Sequence, residues 1–280
     1  MMLKVNELHK SYGKFEAVKG ITFEVEKASI YGFVGKNGAG KSTTIRCIMN
    51  LLQPSSGNIT INGLDAVKDS KAIKEFSSYM PSEITYYDKL TVKEFMKFNL
   101  EFTKSSMDDV EKWASYFELD LTKRLQDLSL GNKKKVSVII MLIKEADILI
   151  MDEPTSGLDP LMQQKFFQVM LNEKKKGKTI FLSSHNLTEI EKYCDHVAII
   201  KDGMIVDLID MAKVTIKHDL VVTYTTKDDK TVKKTFTKDV NDLVKELARL
   251  DLKSLEIKTK SIEDEFIKYY QEEGDENEHN

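Results

Sequence analysis

An α/β fold built around a covered parallel sheet is predicted for this chain by three observations. The stretch Gly35-Lys36-Asn37-Gly38-Ala39-Gly40-Lys41-Ser42 fits G-x-x-x-x-G-K-[ST] and lies between an apolar strand-like run and a helical one. Two further apolar runs, Asp147 to Met151 and Lys178 to Ser183, are separated by helical sequence, as parallel strands covered on both faces are. Between about Leu90 and Leu119 strand signals vanish and helical periodicity takes over.

Taken in order, residues 2–8 and 21–26 alternate apolar and polar positions and read as half-buried antiparallel strands. Ser29 to Val34 is a buried strand, and Thr43 to Met49 opens a helix. Gly57 to Gly63 is a short strand bracketed by turn residues. Thr91 with Glu94 three residues later forms a capping box, which starts a helix through Phe95, Phe98 and Phe102. Val197 to Ile200 and Met204 to Val206, joined by Lys201-Asp202-Gly203, form a closing hairpin. After about Asp210 the character changes. Leu220 to Thr225 and Val232 to Phe236 read as exposed-edge strands, Val240 to Leu250 as an amphipathic helix, Leu255 to Ile257 as a strand and Ile262 to Tyr270 as another helix. This marks a second, small α+β domain over residues 211–280, closed by an acidic, disordered tail from Gln271 to Asn280.

Bulk properties narrow the classes. The 280 residues suffice for one large domain and one small one. A net charge of −3 gives none of the basic excess typical of nucleic-acid binding, so no nucleic-acid partner is expected. Cys47 and Cys194 form no metal-ligand spacing and suit a reducing cytosol. The first residues lack the apolar region of a signal peptide. The most apolar stretch, Val136 to Met151, carries Lys144, Glu145 and Asp147 and is too short to span a bilayer. Any membrane is served from the water side.

The glycine-rich loop implies a nucleoside triphosphate. Its glycines let backbone amides approach phosphate oxygens, and the following helix aims its free N–H groups at the same anion. The binding set runs through Gly35, Lys36, Asn37, Gly38, Ala39, Gly40, Lys41, Ser42 and Thr43. Lys41 would reach the β- and γ-phosphates, and the Ser42 hydroxyl would ligate Mg²⁺. The run Ile148-Leu149-Ile150-Met151-Asp152-Glu153 ends an apolar strand in two acids. Asp152 is assigned to the metal shell, and Glu153 to polarising the water that attacks the γ-phosphate.

Three more stretches complete a pattern: Leu128-Ser129-Leu130-Gly131-Asn132, Ser156-Gly157-Leu158-Asp159, and His185 after the strand Thr179 to Leu182. In this order and spacing, residues 1 to about 210 resemble the ATP-binding subunit of ABC transporters. The phrases Asp152 to Pro160 and Ser261 to Phe266 are most similar to single-domain subunits of ABC-2-type drug and peptide exporters. The resemblance implies a P-loop NTPase (RecA-like) core with an antiparallel β subdomain and a helical subdomain over about 83–146. It implies ATP and Mg²⁺ as ligands, ATP hydrolysis as the reaction, and residence on the inner face of the cell membrane. Tyr12 would stack on adenine, His185 would hold the attacking water against the γ-phosphate, and Asp159 would shape the contact between protomers. Ser129 and Gly131 would cap the phosphate held by the opposite protomer, so that ATP closes a head-to-tail homodimer or heterodimer beneath separate permease subunits.

The chain departs from the family pattern at three places. Leu130 and Asn132 replace a glycine and a glutamine, which requires an ordinary backbone at Leu130. Lys133-Lys134-Lys135 at the start of the helix 132–143 reads either as a solvated basic face or as charge offsetting ATP across the dimer. Where the family offers a metal-contacting glutamine, the chain has Ser82, with Glu83 one residue off as the alternative. The aromatic run 84–90 that follows lies where relatives dock a helix of their permease, or else Tyr86 and Tyr87 pack only within the domain. A rival reading is an ABC-type ATPase acting as a nucleotide-gated binding or regulatory module without transport. ATPases of DNA repair and translation fit less well, because no coiled-coil insertion and no second ATP site is present.

Overall fold

Alternation at the N-terminus produces two long strands, β1 (Leu3–Tyr12) and β2 (Phe15–Val25), paired antiparallel with Leu3 opposite Val25 and Val5 opposite Phe23. The computed structural model describes residues 1–83, 89–213, 220–236 and 240–259. The expected docking run at Tyr86 and Tyr87, the helix 262–270, the phrase 261–266 and the acidic tail therefore lie outside the described residues.

Next along the chain come β3 (Ile30–Val34), α1 (Lys41–Ile48), β4 (Ser56–Ile61) and the two-residue β5 (Leu64–Asp65). The first sheet runs β2-β1-β4-β5. The inward residues Val5, Ile21, Phe23, Ile59 and Ile61 belong to one core with Phe33, Ile45 and Phe181. Phe23 stacks on Phe33 and Phe181 at centroid distances of 5.4 and 5.7 Å, within the range of favourable aromatic pairs.

The second sheet is the scaffold of the site. It adds β6 (Ser77–Met80), β7 (Ile148–Asp152), β8 (Thr179–Ser184), β9 (His196–Lys201) and β10 (Met204–Asp210), in the order β10-β9-β3-β8-β7-β6. All neighbours are parallel except the β9–β10 hairpin. Every residue of β3, β7 and β8 is buried, which is why these strands read as unbroken apolar runs. Their register is level: Val34 lies opposite Ser184, and Asp152 opposite Ser183. The loops that leave these strands therefore converge at one sheet end, where ligands of parallel α/β sheets bind.

Helices α2 (Ser70–Phe76), α6 (Pro160–Lys175) and α7 (Leu187–Tyr193) accompany this sheet. Neither α2 nor β6 is expected from the sequence. Ser77-Ser78-Tyr79-Met80 has no apolar alternation, and its pairing with β7 makes it a strand.

Between β6 and β7 lie α3 (Val92–Leu100), α4 (Met107–Tyr116) and α5 (Leu130–Ile143). The capping box at α3 is complete: Thr91 N–H donates to Glu94 Oε2 at 2.8 Å and Glu94 N–H donates to Thr91 Oγ1 at 3.2 Å. A matching box at α4 joins Ser106 and Asp109. Helix α3 stops earlier than its aromatic spacing predicts. Phe102 lies beyond it and is 71% exposed. Thr91→Ala removes one cap of an exposed helix start and should lower unfolding free energy by about 1 kcal/mol. Urea titration checks this, and an unchanged midpoint would refute the contribution of the cap.

The chain divides into two units, Met1–Met211 and Ala212–Asn280. The second contains β11 (Leu220–Thr226), β12 (Thr231–Phe236), α8 (Val240–Leu247) and β13 (Leu252–Thr259). Its sheet order is β12-β11-β13, so β11 is central and not an edge strand. The alternation in β11 arises because Leu220, Val222 and Tyr224 share a core with Leu243 and Leu247 of α8. No described helix is long and apolar enough to cross a membrane.

Candidate functional site

The loop from Gly35 to Gly40 joins β3 to α1 and is held close to its neighbours. A Cβ on Gly35 would lie 2.3 Å from the Ile200 carbonyl oxygen, and one on Gly40 would lie 2.7 Å from that of Ala17. Gly40 also has φ 107°, which a side chain would resist. Helix α1 begins at Lys41, two residues earlier than expected, so Ser42 and Thr43 fall in its first turn. Their N–H groups have no acceptor within the helix and suit an anion.

Lys41 is 5% exposed. Its ammonium donates to the carbonyls of Gly35 at 2.6 Å and Lys36 at 3.1 Å, and lies 3.2 Å from Glu153 Oε1. That carboxylate oxygen has no aligned hydrogen-bond donor, so the contact is an ion pair only. The other Glu153 oxygen lies 2.7 Å from His185 Nδ1. Thus Lys41, Glu153 and His185, distant in sequence, form one continuous line of polar contacts.

Glu153 follows directly on β7 with φ 50°, a left-handed conformation that costs a non-glycine residue about 1–2 kcal/mol. Its backbone is held at both ends. The N–H donates to Ser183 Oγ at 3.0 Å, and the carbonyl accepts from Lys134 Nζ at 2.9 Å. Ser183 in turn donates to Asp152 Oδ1 at 2.6 Å. Asp152 Oδ2 is buried with no hydrogen-bond partner. A buried carboxylate oxygen left this way is costly unless a cation or its hydration water meets it, so the residue fits a place in a Mg²⁺ shell. Among the described residues no three His, Cys, Asp or Glu cluster as a protein cage. A small cation that keeps most of its water needs none.

A cavity of about 420 Å³ collects the predicted residues Tyr12, Asn37, Gly38, Gly40, Lys41, Ser42, Thr43, Ser82 and Glu153. Tyr12 ends β1 and is 46% exposed, and Phe15, 66% exposed and directly opposite it across the hairpin, lines the same cavity. Phe15 is a residue sequence reasoning misses, and two exposed aromatics flanking one tight turn are the signal for it. Ser82 lines the cavity and Glu83 does not.

Ser129, Gly131 and Asp159 do not line that cavity. Ser129 is exposed and caps α5, accepting from Asn132 N–H at 3.4 Å. Leu130 is the first helical residue of α5 and has no left-handed backbone. A Cβ on Gly131 would sit 2.8 Å from the Gly157 carbonyl oxygen, so the start of α5 packs on the loop that leads to Asp159. Asp159 is exposed and caps α6 through Met162 N–H at 3.0 Å. The predicted residues thus fall into two sets on one protomer.

Two buried groups connect the surroundings. Thr155 donates to Glu189 Oε2 at 2.9 Å, tying the loop after β7 to α7, and burial raises the Glu189 carboxyl pKa. Within the lysine run, Lys134 alone departs from both readings, since Lys133 and Lys135 stay partly exposed. It is 1% exposed, neither a solvated face nor a charge turned toward a neighbour, and donates to the Ser82 and Glu153 carbonyls, each at 2.9 Å. Burial lowers its pKa, and Asp152 and Glu153 oppose that shift.

The pattern that defines the ABC transporter family matches residues 18–156. Over 211 residues the chain is 34% identical to the bacitracin transport ATP-binding protein BcrA of Bacillus licheniformis, covering 74% of this chain and 69% of that one. It is 35% identical over 208 residues to the linearmycin resistance ATP-binding protein LnrL of Bacillus subtilis, covering 72% and 67%. A solved ATP-binding subunit of an ABC transporter superposes with a TM-score of 0.69 at 30% identity, covering 75% of this chain and 90% of that one.

Proposed function

The chain belongs to the ABC transporter family as one of its ATP-binding subunits, and from that premise we propose that it hydrolyses ATP to power export through separate membrane subunits. The observation that carries the reading is the meeting of Lys41, Ser42 and Glu153 in one cavity with Tyr12 at its mouth. The loop amides and Lys41 bind the phosphates, and Tyr12, with Phe15, stacks on the adenine. Glu153 takes the proton of the attacking water, with His185 fixing the carboxylate at 2.7 Å. Mg²⁺ would be held by Ser42, by Asp152 through water and by Ser82, and it supplies neutralisation of charge on the phosphate oxygens.

Ser129 and Gly131 lie outside this cavity on an exposed helix start, which suits contact with the phosphate of a second protomer. Two such protomers, identical or similar, close over two ATP molecules, and hydrolysis removes the charge that held them. The pair acts peripherally on the inner face of the membrane, beneath permease subunits and without nucleic acid. Export rests on relatives whose names refer to bacitracin transport and linearmycin resistance. Phosphate release by the purified chain tests the reading. Turnover should require Mg²⁺ and rise faster than linearly with protomer concentration, and no release at any concentration would overturn it.

A further inference from the structure

We propose that Lys134 is a positioning residue that holds the Glu153 main chain in its working conformation and couples it to the start of α5. The inference rests on the ATPase reading above. Lys134 is 1% exposed, and its ammonium donates to two backbone carbonyls and to no carboxylate among the described residues. Those carbonyls belong to Ser82 and Glu153, which line the same cavity from different loops. Burying an ammonium against neutral acceptors is expensive, and an apolar side chain of equal length would fill the space at less cost. What the ammonium adds is direction.

The residue it grips is the strained one. Glu153 has φ 50°, and its N–H is already fixed by Ser183 Oγ at 3.0 Å. With the carbonyl fixed as well, the peptide planes on both sides of its Cα are set, and with them the direction of the carboxylate toward Lys41 and His185. Without Lys134 the Glu153 carbonyl keeps only the longer turn bond from Ser156 N–H at 3.3 Å, and a non-glycine residue gains by leaving the left-handed region. Lys134 stands five residues along the helix capped by Ser129. A shift of the α5 start is thereby passed to the carbonyl of Glu153 and to the loop at Ser82.

The test separates position from stability. Lys134→Met keeps length and removes the donors, and Lys134→Arg keeps donors for both carbonyls. Lys134→Met should lose about 10- to 100-fold in kcat, the scale of a misplaced catalytic group, with nucleotide affinity unchanged within about 2-fold. In a Glu153→Gln background it should still form the ATP-bound dimer, which shows that the fold and both binding faces are intact. Lys134→Arg should recover most of the rate. If Lys134→Met does not fold, Lys134→Leu, which also has no donor, carries the same comparison. A Lys134→Met enzyme with kcat within about 2-fold of the parent, or a kcat loss matched by equal loss of affinity and of dimer, overturns the proposal. An inactive parent protein would instead indict the ATPase reading.

Discussion

Glu153→Gln is expected to stop turnover and leave an ATP-loaded dimer that does not come apart. The substitution is isosteric, and the contacts that fix this residue's backbone, from Ser183 and Lys134, are made to main-chain atoms and survive it. What disappears is the negative charge facing Lys41 at 3.2 Å and His185 at 2.7 Å. A carboxamide cannot accept the water proton, and general-base catalysis is worth about 100- to 10,000-fold, so kcat should fall by that amount. The loss of a negative group beside the phosphates also removes a repulsion, so ATP affinity should hold or improve. Size-exclusion chromatography in saturating ATP reads the dimer, and phosphate release reads the rate. A variant that stays monomeric sinks the closure mechanism, and one that turns over within tenfold of the parent assigns the base elsewhere.

Lys41→Ala acts on the earlier step. The ammonium donates to Gly35 and Lys36 carbonyls from inside the loop, so it is already placed where the phosphates would sit. Truncating one partner of a buried charge pair costs about 2–5 kcal/mol, which corresponds to a loss of about 30- to 4,000-fold in ATP affinity. Removal also leaves the Glu153 carboxylate facing the phosphates without its cation, which adds repulsion to the lost attraction. Titration of a fluorescent ATP analogue measures the effect. Affinity within threefold of the parent would mean that the loop amides alone hold the nucleotide.

The parts of this protein legible in its sequence are those whose chemistry is local. The phosphate loop needs its glycines, lysine and serine at fixed offsets, and the acid pair must end an apolar strand. Both requirements stand within a few residues of one another. Strands β3, β7 and β8 are legible for the same reason, since burial on both faces demands uninterrupted apolar runs. Strand β6 is not, because Ser77 and Ser78 carry no strand pattern and owe their state to pairing with β7, far along the chain. The placing of β11 at the edge fails because alternation reports one covered face and cannot tell how many neighbours a strand has. Lys134 is the sharpest case. In a run of three lysines, the one that turns inward is decided by carbonyls 52 and 19 residues away. Phe15 could have been found, as an aromatic repeated across the turn from Tyr12.

The near-contact of Gly131 with the Gly157 carbonyl means that the two outward-facing loops have no slack between them. Whatever shifts one displaces the other, so a mate approaching this face meets a single stiff tile and not two independent fingers. Leu130 belongs to the tile as well, because a Cβ on Gly157 would lie 2.9 Å from its side chain. The seam itself admits no extra carbon.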